Sequence, residues 1–219
     1  MFSNGAIVTE HDLYLYYEKK FYNTVGKVGT LILQGEEAQA AEIIKMYGDV
    51  HDFPNFGDVA LLEHFYKLFK DNAILYDCII SVYSMHGYCF PKKIIMKAKQ
   101  IAPEIPDSIR YNDLPRTKEV IVYRGTASTA DQAKNEISWT TNKDIAVWFA
   151  YRYHEVNSDN LPDLHVYQGT INYDKIIAYY NGRSEFEVMQ HRNVRNITEI
   201  FPTDEEIKDV FDRRQKDEP

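Results

Sequence analysis

An α+β protein is predicted by three features of the 219-residue chain. Helical periodicity runs from Thr9 to about Ala102, a proline-rich break spans Pro103 to Pro115, and short β-rich segments follow around one further helix. This pattern predicts a helical region over 1–115, a sheet-containing core over 116–203 and an acidic tail over 204–219. The length is enough for either one large domain or two small ones to fold without staples.

Each element has a local reason. Thr9 with Asp12 three residues on resembles a capping box, and Leu13, Tyr16, Tyr17 and Phe21 then follow one helix face. Glu36 to Tyr47 is free of Gly and Pro and ends at Gly48. Asp58 is expected to cap a run that places Leu62, Phe65, Tyr66 and Phe69 on one stripe. Asn72 to His86 closes at Gly87, and Pro91 opens a run through Lys99 that stops before Pro103, which makes a bundle of about five helices. Beyond the break the expected strands are Val120–Tyr123, Ile137–Thr140, Val166–Ile171, Lys175–Tyr180, Phe186–Met189 and Val194–Phe201, with a helix over Lys143–Tyr153. The tail mixes acidic and basic residues and reads as a short solvated helix or a frayed end.

Composition narrows the function classes. Apolar residues make up 44% and aromatic residues 14%, so the chain can order by burial. Lys and Arg total 25 against 33 Asp and Glu, a formal charge of -8 that disfavours a broad grip on nucleic acid. The two cysteines, Cys78 and Cys89, form no disulfide framework, residues Met1 to Val8 lack a signal-peptide pattern, and the apolar stretch Ala73–Met85 is short and broken by Asp77. The expectation is a cytoplasmic protein with no membrane partner. Walker, GxGxxG, GxSxG and HExxH patterns are absent. Cys78, His86 and Cys89 fit no familiar metal-site spacing and read as structural, so no metal is expected. Lys92, Lys93, Lys97 and Lys99 alternate with Ile94, Ile95, Ala98 and Ile101, which reads as the wet face of an amphipathic helix, with contact to nucleic-acid phosphates as the weaker alternative.

Three short motifs carry chemistry. The first strand delivers Tyr123, Arg124 and Gly125; an arginine there can present a planar fork to a pyrophosphate, and the glycine lets a ligand approach backbone. A surface arginine before a turn is the plain alternative. The second motif is Ser138-Trp139-Thr140, where alternation places two hydroxyls on one face and the indole on the other, with Thr141 available to cap the next helix. The third is Glu185-Phe186-Glu187, two carboxylates expected on one strand face, which repel unless a cation or donor meets them. An edge strand of no functional consequence is the alternative there.

Together these motifs resemble the ADP-ribosyltransferase superfamily of the arginine, serine, glutamate type, over about Arg116 to Pro202. The resemblance implies a split β-sandwich that binds NAD+ as co-substrate in its central cleft, often with a helical region packed on the amino-terminal side. It implies that Arg124 holds the NAD+ phosphates, that Ser138 orients the catalytic glutamate and the nicotinamide ribose, that Glu187 is that glutamate, and that Glu185 activates the acceptor. Thr140 stands where the family has a second serine. Gly125, Tyr123, Thr140 and Phe149 complete the expected NAD+ contacts, with Tyr123, Phe149 and Tyr180 candidates to stack on nicotinamide or to form core. The implied reaction is mono-ADP-ribosylation of a macromolecule, protein before RNA or DNA, as in an intracellular toxin, a phage modifier or a defence effector. The alternatives are an NAD+ glycohydrolase and a non-enzymatic interaction protein on the same fold.

Overall fold

In the computed structural model, which describes residues 10–47, 57–86, 90–152, 164–182 and 184–217, the chain divides into two units, 1–104 and 105–219. The first unit holds α1 (Glu10–Leu33), α2 (Glu37–Tyr47), α3 (Gly57–Phe65), α4 (Asn72–His86) and α5 (Lys92–Ile101). Gly35, at φ 82°, turns the chain between α1 and α2, with its N–H bonded to the Ile32 carbonyl and that of Glu36 to Leu31. Ile44 from α2, Leu75 and Ile79 from α4, and Ile94, Ile95 and Ile101 from α5 are sealed from solvent. On α5, Lys92 and Lys93 are exposed opposite that buried stripe, and Lys93 pairs with Glu63.

Two carboxylates in this unit are structural. Glu37 is buried and accepts the N–H groups of Lys70 and Asp71, at 3.0 and 2.9 Å, which ties the start of α2 to the segment entering α4. Asp58 does not cap α3 from outside: the helix begins at Gly57, and Asp58 is fully buried, 2.9 Å from His86 Nε2. Burial pushes the Asp58 carboxyl above its usual range. The Cys78 thiol is likewise pushed up to about 12 by burial, as for a packed thiol, and Cys89 lies outside the described residues. Among the described residues no group of three or more His, Cys, Asp or Glu could hold a metal ion, and no helix is long and apolar enough to cross a membrane.

The division falls inside the proline-rich stretch, after Glu104, so all of it from Ile105 onward belongs to the second unit, ahead of the expected boundary at 115/116. Pro106 precedes the short helix α6 (Asp107–Arg110), and Tyr111 and Leu114 are buried in the sheet's own core. Arg110 is buried too and donates from Nε to the Ile176 carbonyl at 2.9 Å and from Nη2 to that of Asp174 at 2.8 Å. Prolines there stop a helix without making a free linker, because Tyr111 and Leu114 supply apolar area to bury.

Then follow β1 (Glu119–Thr126), α7 (Ala130–Ala133), β2 (Ser138–Thr140), α8 (Lys143–Tyr151), β3 (His165–Asn172), β4 (Ala178–Tyr180), β5 (Glu187–Met189), β6 (Arg195–Ile200) and α9 (Asp204–Asp217). The strands form one antiparallel six-stranded sheet in the order β4-β5-β2-β1-β3-β6. A two-sheet sandwich is therefore not what the hydrogen bonds describe. The sheet is nevertheless divided: β1 pairs with β3 along its whole length, whereas β1 and β2 share the single pair Tyr123↔Thr140. One face buries Val120, Val122, Trp139, Tyr167, Tyr179 and Val188; the other meets α8 and α9 through Val166, Ala146, Val147, Ala150 and Val210.

The tail is more than a solvated end. Thr203 and Glu206 form a reciprocal cap, with the Thr203 N–H bonded to the Glu206 carboxylate at 2.8 Å and the Glu206 N–H to Thr203 Oγ1 at 3.2 Å. α9 then lays Ile207 and Val210 on the α8 cluster, and ion pairs join Lys143 to Glu206 and Arg213 to Asp144.

Candidate active site

Cross-strand pairing builds the site. Residues directly opposite in antiparallel strands share a face. The registers Tyr180↔Glu187, Thr140↔Glu187, Tyr123↔Thr140, Tyr123↔Gln168 and Gln168↔Thr198 therefore draw one row of mostly polar side chains across the whole sheet. Ser138 lies on the same face two residues before Thr140, and Trp139, 1% exposed, is in the core behind it. The sheet thus brings Ser138, Thr140, Glu187, Tyr123 and Tyr180 together on the face that α8 adjoins. Glu187 is only 7% exposed, at the start of its strand and opposite Thr140, and it has partners within the protein.

Arg124 is placed differently. It pairs with Tyr167, so strand alternation puts it on the opposite face from Tyr123. Its guanidinium reaches the start of β2, donating from Nη1 to the Ser138 carbonyl and standing 3.4 Å from the Glu136 carboxylate. Glu136, in the connection that leads into β2, is not singled out by the sequence, where nothing local links it to an arginine on β1.

Gly125 has a packing role of its own. A Cβ there would overlap the Ala146 carbonyl and lie 2.5 Å from the Ala150 nitrogen, so its missing side chain lets α8 sit against β1. Small Ala146 and Ala150 on the facing helix side complete that contact. Phe149 is half-buried on α8, its ring 5.0 Å from that of Trp148, with the Arg152 guanidinium 4.5 Å from its centroid. Tyr123 packs against the α8 cluster, and Tyr180 lies over Gly182, where a Cβ would collide with its ring.

The two glutamates do not share a strand face. Ser184 and Phe186 have φ of 53° and 50°, so regular alternation begins only at Glu187, and Glu185 sits in the preceding loop, half-buried. Left-handed backbone at a non-glycine residue costs about 1–2 kcal/mol. Burial of the Phe186 ring against the core offsets it, together with hydrogen bonds from Thr141 N–H to the Phe186 carbonyl, 3.0 Å, and from Thr140 Oγ1 to the Glu185 carbonyl, 2.7 Å. Thr141 is not the cap of α8; Asn142 is, accepting from the N–H groups of Asp144 and Ile145. In comparisons with known proteins, no family model, curated protein or solved structure matches the chain.

Proposed function

We propose that the second unit cleaves NAD+ and transfers ADP-ribose to a macromolecular acceptor. The observation that carries this reading is the strand order β5-β2-β1, which gathers three motifs separated in sequence onto neighbouring strands with Glu187 opposite Thr140. The donor set on the face that α8 adjoins suits the nicotinamide ribose, with a sheltered carboxylate, the Ser138 hydroxyl and an aromatic at either side of Glu187 and Thr140; the part-exposed Arg124 guanidinium, which stands on the other face beside Glu136, would have to meet the phosphates from there. Breaking the bond between ribose and nicotinamide sends the electron pair to nicotinamide and leaves positive charge developing on the sugar. A carboxylate held beside the ribose hydroxyls stabilises that charge. An acceptor lone pair then forms the new bond to the anomeric carbon, and the acceptor's proton leaves, to Glu185 or to solvent. Protein is favoured as acceptor over RNA or DNA by the formal charge of -8.

Incubation of the protein with NAD+ labelled in the adenylate portion and with cell lysate tests the reading. Labelled macromolecules and released nicotinamide are the expected result, and protease or nuclease treatment identifies the acceptor class. Nicotinamide release with no labelling would replace transfer by NAD+ hydrolysis, and absence of both would leave a non-enzymatic role. Arg124→Lys keeps the charge but loses the planar fork, one nitrogen of which donates to the Ser138 carbonyl while the rest would be offered to a phosphate. Calorimetry should show NAD+ affinity at least about tenfold weaker, roughly 1.4 kcal/mol; equal affinity would remove Arg124 from the site.

A further inference from the structure

Thr140 stands at a junction of three segments. It is 6% exposed at the end of β2, and its hydroxyl makes two hydrogen bonds at once. Oγ1 donates to the Glu185 carbonyl at 2.7 Å and accepts the Asn142 N–H at 3.1 Å. The first bond reaches the loop that carries Glu185; the second closes the turn leading into Asn142, the residue that caps α8. Next to it, the Thr141 N–H holds the Phe186 carbonyl at 3.0 Å. Both bonds grip loop backbone on either side of a strained residue, since Phe186 has φ 50° and Ser184 φ 53°. Strained backbone persists only where its surroundings over-determine it, and here the over-determining contacts come from consecutive residues of β2 and its exit.

We infer that Thr140 is a positioning residue whose hydroxyl latches the Glu185 loop to β2 and so fixes where Glu185 stands relative to Glu187. This differs from a direct NAD+ contact, because the hydroxyl's proton is committed to the Glu185 carbonyl. The inference rests on the transferase reading in one respect: Glu185 acts on the acceptor and Glu187 on the ribose. The latch then governs the share of ADP-ribose that reaches the acceptor instead of water. A threonine suits the position because its methyl is at home in a buried strand while its hydroxyl alone supplies both bonds.

Two variants test it, Thr140→Val, which keeps shape and loses the hydroxyl, and Thr140→Ser, which keeps the hydroxyl. The first readout needs no NAD+: amide hydrogen exchange of the folded full chain, followed at Thr141, whose N–H bonds the loop, and at Asn142. Thr140→Val should speed exchange there at least tenfold, and Thr140→Ser should restore the parent rate. The second readout is the ratio of labelled acceptor to released nicotinamide, which should fall at least tenfold in Thr140→Val and recover in Thr140→Ser. Unchanged exchange in Thr140→Val overturns the latch, as does an unchanged ratio when exchange has risen. If the parent protein releases no nicotinamide, the transferase reading fails by itself, and exchange alone decides whether the hydroxyl holds the loop.

Discussion

Glu187→Gln should leave the second unit folded and slow nicotinamide release at least about a hundredfold, a loss of roughly 2.7 kcal/mol in transition-state stabilisation. The substitution preserves size and most hydrogen-bonding capacity at a position that is 7% exposed and opposite Thr140 in the ladder. What it removes is the negative charge, which in the proposed reaction matters only once positive charge develops on the ribose. Steady-state release of nicotinamide by both proteins, at equal folded fraction judged by near-ultraviolet circular dichroism, gives the comparison. Equal rates would place the chemistry elsewhere.

Gly125→Ala, one methyl group away from the parent, should have the larger effect on stability. The new Cβ would overlap helix backbone at Ala146 and Ala150, and neither can yield as the end of a flexible side chain would. Relief requires α8 to lift from β1, which opens the contact made by Ala146, Val147 and Ala150. The expected cost is about 3 kcal/mol or more, at the upper end for overpacking. Denaturant unfolding should show the second unit's transition at markedly lower midpoint. A midpoint equal to the parent's would mean that the helix and strand separate more easily than their packing suggests. Because Gly125 neighbours Arg124, reduced NAD+ cleavage in this variant would report lost packing and not lost ligand contact.

Elements whose ends are set by local chemistry were legible in the sequence. α4 begins at Asn72 and continues to His86 as periodicity indicates, Gly87 lying outside the described residues, and α5 follows Pro91. The hydroxyls and indole of β2 separate onto two faces because a strand admits no other arrangement. Glu185 was misplaced by the same rule, since alternation holds only while φ stays extended and two residues before Glu187 are left-handed. Nothing in Ser184 or Phe186 announces this, as neither is a glycine or asparagine. Gly125 was assigned to a ligand because its helical neighbour lies about twenty residues further on, invisible to local patterns. The cap on α9 was present in the sequence as Thr203 and Glu206, three residues apart, and the surrounding charge hid it behind the look of a solvated tail.

The single Tyr123↔Thr140 pair between β1 and β2 has an energetic meaning for the residues on either side. Substitutions in contact couple, and those on weakly connected elements add. Thr140 and Glu187 lie in one three-stranded block, β4-β5-β2, so their combined loss should fall well short of the sum of the separate losses. Ile171 and Val188 belong to different blocks, β1-β3-β6 and β4-β5-β2, yet lie in one apolar cluster, so any coupling between them is carried by shared side-chain packing and not by the ladder. The site is therefore assembled from two halves joined less by ladder hydrogen bonds than by their common core and by α8, which follows β2 yet packs on β1 and must satisfy both.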